Sequence, residues 1–279
     1  MKRHLGRLAL VCVVQAICVG IALGAPVEYD YTGSYTADAN TVALFHFDEG
    51  SGLTTADASP NGNNLTLATL AETSVGWTIP GKFDKSYAGY AEGFTAEDSA
   101  SLDSLYHSVT LESWLYIPTD VSMTTKQYRG IITKMRWGGE GPYDGFAFAF
   151  KGRGVNISES VDLRFQIGGG CLIATAADGV PIGEWFHVAA TLDTDGTQRI
   201  YLNGQLLGER AEPGRKILAN DQPLRVNQWL GATAVGFFMA FDEVRISNVA
   251  LTPVPEPATM TLLATGLVGL MSKRMRRRA

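Results

Sequence analysis

Short apolar runs separated by turns fill most of the chain, and no helical period persists between residues 40 and 253. Each run holds four to ten residues rich in Val, Ile, Phe, Tyr and Thr, and ends at Gly, Asn, Asp or Pro, which is the pattern of β-strands. About thirteen strands are predicted on this pattern: 41–47, 64–67, 82–91, 108–117, 130–135, 145–150, 162–167, 171–176, 185–192, 198–202, 205–209, 224–230 and 240–247. A segment of this length is sufficient for one all-β domain with a substantial core.

Local patterns fix part of the topology. Asn203-Gly204 separates two of the runs by two residues, which favours a type I′ hairpin turn. With the turn at Asp195-Gly196, three successive strands form an antiparallel meander. Phe146, Phe148 and Phe150 alternate with small residues, so three rings lie on one face of a strand. That arrangement predicts a sheet packed against a second sheet.

The N-terminus reads as an export signal. Lys2, Arg3 and Arg7 precede an apolar segment, and Ala22-Leu23-Gly24 places small residues where a signal peptidase cleaves. We predict a signal peptide over residues 1–24; an uncleaved N-terminal anchor is the alternative. Two of the three cysteines lie inside this segment, so Cys171 remains alone and no intramolecular disulfide is expected in the exported chain.

The C-terminus contains three features in order. Pro255, Glu256 and Pro257 are followed by an uncharged run over 258–271 and then by a basic group. The run is shorter than the roughly 20 residues of a stable spanning helix, and the basic group keeps its end cytoplasmic. The basic residues are Lys273, Arg274, Arg276, Arg277 and Arg278.

This tail, residues 253–279, closely resembles the PEP-CTERM sorting signal of Gram-negative, exopolysaccharide-producing bacteria. The resemblance implies that an exosortase recognises and removes it, after transient anchoring in the inner membrane through the short apolar helix. The protein would then reside at the cell surface or in the extracellular matrix. An ordinary C-terminal membrane anchor is the alternative interpretation.

The net charge of the chain becomes more negative when its two basic terminal segments are left out. The chain has 23 Lys and Arg against 28 Asp and Glu; residues 1–24 and 258–279 hold eight of the basic residues and no acidic ones, which leaves 15 against 28, or a net charge of −13, for residues 25–257. Such a surface repels nucleic acid and anionic lipid. Nucleic acid is therefore not an expected partner.

A second resemblance rests on motifs in a fixed order: Ala43-Leu-Phe-His-Phe-Asp-Glu-Gly-Ser-Gly52, Asp57-Ala-Ser-Pro-Asn-Gly-Asn63, Val109-Thr-Leu-Glu-Ser-Trp-Leu-Tyr116, Gly183-Glu-Trp-Phe-His-Val-Ala-Ala-Thr-Leu192, Ile200-Tyr-Leu-Asn-Gly204 and Phe241-Asp-Glu-Val-Arg-Ile-Ser247. They resemble the LamG-like, concanavalin A-like lectin family. The resemblance implies a two-sheet antiparallel jelly-roll sandwich over residues 40–252, with 25–39 as a linker. Members of the family bind carbohydrate or protein.

The same resemblance implies a structural calcium ion. The matching positions are Asp57, Asn61, Asn63 and Asp242, whose carboxylate and amide oxygens are ligands that Ca²⁺ accepts. An Asx-rich turn that satisfies its own backbone through side-chain hydrogen bonds is the alternative for the loop over 57–63.

Glycan binding, rather than catalysis, is the function that the residues favour. Trp137 and Tyr143 lie in a glycine-rich loop, where flat rings can stack on sugar. Glycoside hydrolysis needs two facing carboxylates, and Glu112 has no acidic partner at strand spacing. We therefore predict a non-enzymatic protein that binds glycan or exopolysaccharide matrix. A structural matrix protein without a ligand and a glycan-processing enzyme are the alternatives.

Overall fold

The computed structural model describes residues 27–31, 33–67, 76–77, 79–89, 93–119, 128–136, 143–229 and 238–254. Nearly all regular structure in these residues is β. The elements are β1 (Val27–Asp30), β2 (Thr41–Phe45), β3 (Thr54–Thr55), β4 (Leu65–Leu67), β5 (Tyr87–Gly89), β6 (Phe94–Ala96), α1 (Ala100–Asp103), β7 (Val109–Tyr116), β8 (Tyr128–Met135), β9 (Gly145–Gly152), β10 (Val161–Ile167), β11 (Gly170–Ala176), β12 (Trp185–Leu192), β13 (Thr197–Leu202), β14 (Gln205–Ala211), β15 (Leu224–Val226), β16 (Met239–Ser247) and β17 (Leu251–Val254).

Two antiparallel sheets form the sandwich, as predicted. One has the strand order β11-β10-β9-β8-β15-β6-β4-β3, and the other has the order β14-β13-β12-β7-β16-β2, with β5 also paired to β16. Phe146, Phe148 and Phe150 of β9 are all buried in the main hydrophobic cluster, which confirms the predicted row of rings. Phe150 meets Phe186 of the opposite sheet at a ring-centroid distance of 6.5 Å.

The predicted meander is confirmed, with β12, β13 and β14 in succession at one side of their sheet. Asn203 and Gly204 both adopt positive φ, at 48° and 72°. A type I′ turn requires this at both central residues, and asparagine and glycine are the residues that accept it most readily.

Several predicted strand boundaries are wrong. The strand predicted over 82–91 is reduced to β5, because residues 82–84 bend and Asp84 adopts a left-handed φ of 51°; residues 90–91 lie outside the described residues. The prediction also missed β1, β3, β6, β17 and α1. All are four residues or shorter, and so short a run carries no readable periodicity.

The interval predicted as a linker, residues 25–39, is part of the folded body wherever it is described. We call residues 27–38 the strap; its residue 32 lies outside the described part. β1 pairs in parallel with β17, and Tyr31 and Tyr35 are buried with Leu44 and Trp114 in a second hydrophobic cluster. Tyr31 and Tyr35 do not follow the alternating pattern of a strand, because they lie in an irregular segment that packs against the sheet.

The predicted signal peptide, residues 1–24, lies outside the described residues, as does the predicted sorting signal, residues 253–279, apart from Pro253 and Val254. Within the described part of the chain, no helix has the length and apolarity to cross a membrane. Cys171 is the free cysteine of the described residues and is partly buried.

Candidate functional site

A surface cavity of about 320 Å³ opens at one end of the sandwich. Three chain segments form it: residue 143 just before β9, the turn between β10 and β11, and the segment after β14. The described lining residues are Tyr143, Gly168, Gly169, Glu212, Pro213, Gly214, Arg215, Lys216 and Leu218. Loops on a rigid scaffold often carry binding residues, and this pocket combines one aromatic ring with three charged side chains.

Arg215 is the most constrained side chain of this pocket. One of its Nη groups donates to the carbonyl of Ile167 at 3.3 Å, and the other donates to the Glu212 carboxylate. The guanidinium lies over Gly170, where an added Cβ would come within 2.3 Å of Nη2. A glycine at position 170 is therefore what allows Arg215 to lie against the β10–β11 turn.

The Arg215–Glu212 pair retains hydrogen-bonding capacity. Arg215 Nε and Glu212 Oε2 are buried and have no hydrogen-bond partner among the described residues, although Glu212 Oε2 lies within ion-pair distance, 3.4 Å, of Arg210 Nη2. Burial lowers the pKa of the Arg215 guanidinium, and the nearby charge of Arg210 acts in the same direction. Buried polar groups normally have partners, so these two atoms are exceptions among the described residues.

Of the two predicted glycan contacts, Tyr143 lies in the pocket lining and is 36% exposed. Trp137 lies outside the described residues. Tyr143 thus lies beside Gly168 and Gly169, which form the glycine turn between β10 and β11, and beside the Arg215–Glu212 pair. Neither feature was connected with Tyr143 in the sequence analysis.

The residues predicted as calcium ligands fall into two groups with separate partners. Asp57 accepts hydrogen bonds on both oxygens, from the backbone of Leu44 and Asn63 and from Ser59. The side-chain amides of Asn61 and Asn63 both donate to the carbonyl of Val42, at 2.9 and 3.0 Å. These bonds hold the loop over residues 57–63 against β2.

Asp242 belongs to a different environment, at the point where residues 82–84 cross β16. Its Oδ2 accepts from the backbone of Phe83 at 2.9 Å, and its Oδ1 is buried without a partner in the described structure. Burial raises the pKa of Asp242 to about 8, and the neighbouring charges of Glu243 and Asp48 add to the effect, whereas the Phe83 amide opposes it.

The described residues contain no group of three or more His, Cys, Asp or Glu side chains arranged to hold a metal ion. Ca²⁺ also accepts asparagine and backbone oxygens, which do not belong to that set of side chains. Calcium binding through Asp57, Asn61, Asn63 and Asp242 stays a prediction.

A buried polar cluster at the centre of one sheet was not predicted. Glu112 of β7 accepts from Arg245 Nε of β16 at 2.7 Å, lies 3.2 Å from His187 Nε2 of β12, and accepts from the hydroxyls of Tyr29 and Tyr35. Burial acts to raise the pKa of Glu112, but Arg245, His187 and Tyr29 outweigh it and lower the pKa to about 2.

The signal in the sequence was a polar residue within each of three apolar runs. The strand register that brings Glu112 opposite Arg245 joins positions 133 residues apart, and a strand pattern does not contain that information. Among the described residues of the cluster, Glu112 is the one carboxylate, whereas most glycosidases use two.

Two of the solved structures that resemble this fold are binding domains of larger proteins. The binding domain of Paraclostridial Mosquitocidal Protein 1 aligns at a TM-score of 0.55 and 14% identity, over 76% of this chain and 49% of that one. The botulinum neurotoxin serotype D binding domain aligns at 0.53 and 10%, over 81% and 52%. The chain thus spans about half the length of these toxin domains.

A third structure matches over nearly its whole length. Domain 4 of AbnA, a GH43 extracellular arabinanase from Geobacillus stearothermophilus, solved in complex with arabinotriose, aligns at a TM-score of 0.52 and 19% identity, over 77% of this chain and 96% of that domain. At these identities the likeness concerns the fold.

The search of curated proteins returned no match. A family model of the PEP-CTERM protein-sorting motif matches residues 253–278. A second model matches residues 88–254, more than half of the chain. The chain therefore belongs to the concanavalin A-like lectin/glucanases superfamily.

Proposed function

We propose that this is an exported carbohydrate-binding protein and that the pocket around Tyr143 and Arg215 holds the glycan. The observation that carries the proposal is the meeting of an exposed ring, a glycine turn and the Arg215–Glu212 pair in one cavity of about 320 Å³. The superfamily of the chain and the sorting motif at its C-terminus support it.

The chemistry of the pocket suits a sugar. The apolar face of a pyranose or furanose ring stacks on an aromatic side chain such as Tyr143, which combines an apolar body with a polar tip. Gly169 leaves the backbone open to close approach, since an added Cβ there meets nothing within 4 Å. Arg215 donates and Glu212 accepts, so together they serve hydroxyl groups of either role.

We propose that the protein binds glycan and does not cleave it. Glu212 is the one carboxylate among the described residues of the pocket, and it is tied to Arg215. Hydrolysis of a glycosidic bond requires a second carboxylate at about 5 Å or more, on the opposite side of the scissile bond.

We further propose that the protein is handed to an exosortase through Pro255, Glu256 and Pro257 and is retained at the cell surface or in the exopolysaccharide matrix. The motif match over residues 253–278 supports this route. Replacement of the triplet by alanines should leave full-length precursor in the inner membrane. An unchanged mature mass in an exosortase-bearing host would contradict the route.

A glycan panel tests the binding site directly. Residues 25–254, purified without the two signals, are titrated with neutral and acidic oligosaccharides, with arabino-oligosaccharides included because the AbnA domain was solved with arabinotriose. Tyr143→Ala and Arg215→Ala should each weaken binding at least tenfold. Trp137→Ala should weaken it as well, if that ring extends the same surface.

Matched controls separate the pocket from the general surface. Arg136→Ala removes an exposed cation that pairs with Asp221, and Ile173→Ala removes an exposed apolar side chain of β11. Both should bind as the parent does. Silence across the panel for every variant and the parent would favour a structural matrix protein without a defined ligand.

A further inference from the structure

The strand that leads into the sorting motif is already paired within the folded body. β17 ends at Val254, one position before Pro255. All four of its residues pair with β1 in parallel register, from Val27 beside Leu251 to Asp30 beside Val254. In the described structure these two strands form a sheet of their own.

The strap that supplies β1 is tightly anchored. The Tyr35 hydroxyl donates to Glu112 and its backbone N–H donates to Glu243, at 2.9 and 2.8 Å. Ser34 donates to Glu243 at 2.7 Å. Tyr31 stacks on His187 with centroids 4.5 Å apart and planes 15° apart. The strap is thus held by buried polar groups at several points along its length.

We propose that the strap acts as a latch: by pairing with β17, it keeps the processing enzyme from binding the segment ahead of the sorting triplet. Release of β17 from β1 then limits removal of the C-terminal signal. A processing enzyme that takes its substrate as an extended peptide hydrogen-bonds the substrate backbone on a strand edge. β1 occupies an edge of β17 over the four residues directly before the triplet Pro255-Glu256-Pro257. The inference rests on the proposed exosortase route.

The processing step is an acyl transfer. The peptide C–N bond in the signal breaks, the carbonyl carbon bonds to the oxygen of water or the nitrogen of an amine acceptor, and the acceptor's proton passes to the leaving amine. The enzyme supplies the catalytic groups, and the strap controls only whether the backbone ahead of the motif is available.

A reversible lock tests the latch in the exported chain that has lost Cys12 and Cys18 with its signal peptide but still carries the C-terminal signal. Glu28 and Thr252 are register partners, so Glu28→Cys with Thr252→Cys in a Cys171→Ser background places two thiols side by side on adjacent strands. In membranes that contain the exosortase, the oxidised protein should remain as precursor, and reductant should restore processing. Each single-cysteine variant should be processed at the parent rate in both conditions.

A weakened strap should have the opposite effect. Tyr35→Phe deletes the hydroxyl that reaches Glu112 and His187 and should speed processing several-fold. Tyr106→Phe, which deletes an exposed hydroxyl bonded to Lys216, should not. Melting curves of both variants verify that the body remains folded.

The outcomes separate the two proposals. An unprocessed parent chain rejects the exosortase route itself. A processed parent, together with an oxidised lock that is processed at the same rate, overturns the latch and leaves the route intact. A Tyr35→Phe rate equal to that of the parent also counts against the latch, provided that its melting curve shows a folded body.

Discussion

The hydroxyl of Tyr35 donates a 2.9 Å hydrogen bond to Glu112 Oε2, across 77 positions of sequence. The same hydroxyl lies 3.0 Å from His187 Nε2. Through this one group the strap satisfies part of a carboxylate that is fully buried at the centre of a sheet. A buried charge is tolerated when it is paired and its remaining lone pairs are hydrogen-bonded.

Glu112→Gln should destabilise the fold strongly. The substitution keeps the shape but leaves the Arg245 guanidinium buried without its counter-charge, and breaking a buried ion pair from one side costs about 3–5 kcal/mol. Urea unfolding measures the change. Glu209→Gln, which breaks an exposed pair with Arg199, is the control and should cost less than about 1 kcal/mol.

The free energy of unfolding at acid pH should also depend on Glu112. The folded pKa of Glu112 is lowered from 4.5 to about 2, so its contribution is present above pH 4.5 and is lost as the pH falls toward 2. The shift corresponds to about 3 kcal/mol. Glu112→Gln should flatten this part of the pH profile, and an unchanged slope would contradict the assignment.

Asp242 should produce the opposite dependence in the neutral range. Its folded pKa is raised from 3.8 to about 8, so the folded state binds a proton that the unfolded state releases, and stability falls as the pH rises from about 4 toward 8. Asp242→Asn should raise the Tm at pH 9 while changing it little at pH 4. Asp221→Asn, at an exposed position, should leave both values unchanged.

Two neighbouring glycines allow a matched test of the Arg215 geometry. Gly170→Ala places a methyl group 2.3 Å from Arg215 Nη2, whereas Gly169→Ala places one in open space. The first should displace the guanidinium and weaken glycan binding by roughly tenfold, about 1.4 kcal/mol. The second should retain the Tm of the parent, which calorimetry checks. Equal binding by the parent and Gly170→Ala would remove Arg215 from the site.

Calcium should stabilise the fold if the predicted ligands hold it. A ligand that binds only the folded state adds about 2.7 kcal/mol at a hundredfold excess over its dissociation constant. Because protons compete for Asp242, the calcium response should be larger at pH 9 than at pH 5. Asp242→Asn and Asp57→Ala should both abolish it. A Tm that responds to neither calcium nor chelator at either pH would reject the site.

Apolar runs that end at turn residues predicted most of the long strands, because these strands are buried on both faces. The Phe146, Phe148 and Phe150 row and the Asn203-Gly204 turn were both foreseen, since each depends on residues close in sequence. The linker interval was misread, because Tyr31 and Tyr35 are buried by groups that lie far along the chain. A buried irregular segment leaves no periodic pattern of apolar residues in the sequence.

The candidate site was predicted only in part, for the same reason. Tyr143 was singled out as an aromatic residue among glycines, which is a local feature. Arg215 and Glu212 reach the same cavity from beyond β14, and no spacing links them to Tyr143. Their arrangement depends on the approach of β11 to β14, where an added Cβ at Gly208 would come within 2.8 Å of the Ala174 side chain.

The pairing of β7 with β16 affects the order in which the parts of the domain fold. Its central ion pair joins residues 133 positions apart, whereas β12, β13 and β14 follow one another through short turns. Local hairpins form in about 1–10 μs, but distant pairing must first overcome the entropy of closing a long loop. We therefore expect the meander to form early and the central pair late. The polar centre that anchors the strap should therefore be among the last parts of the body to form.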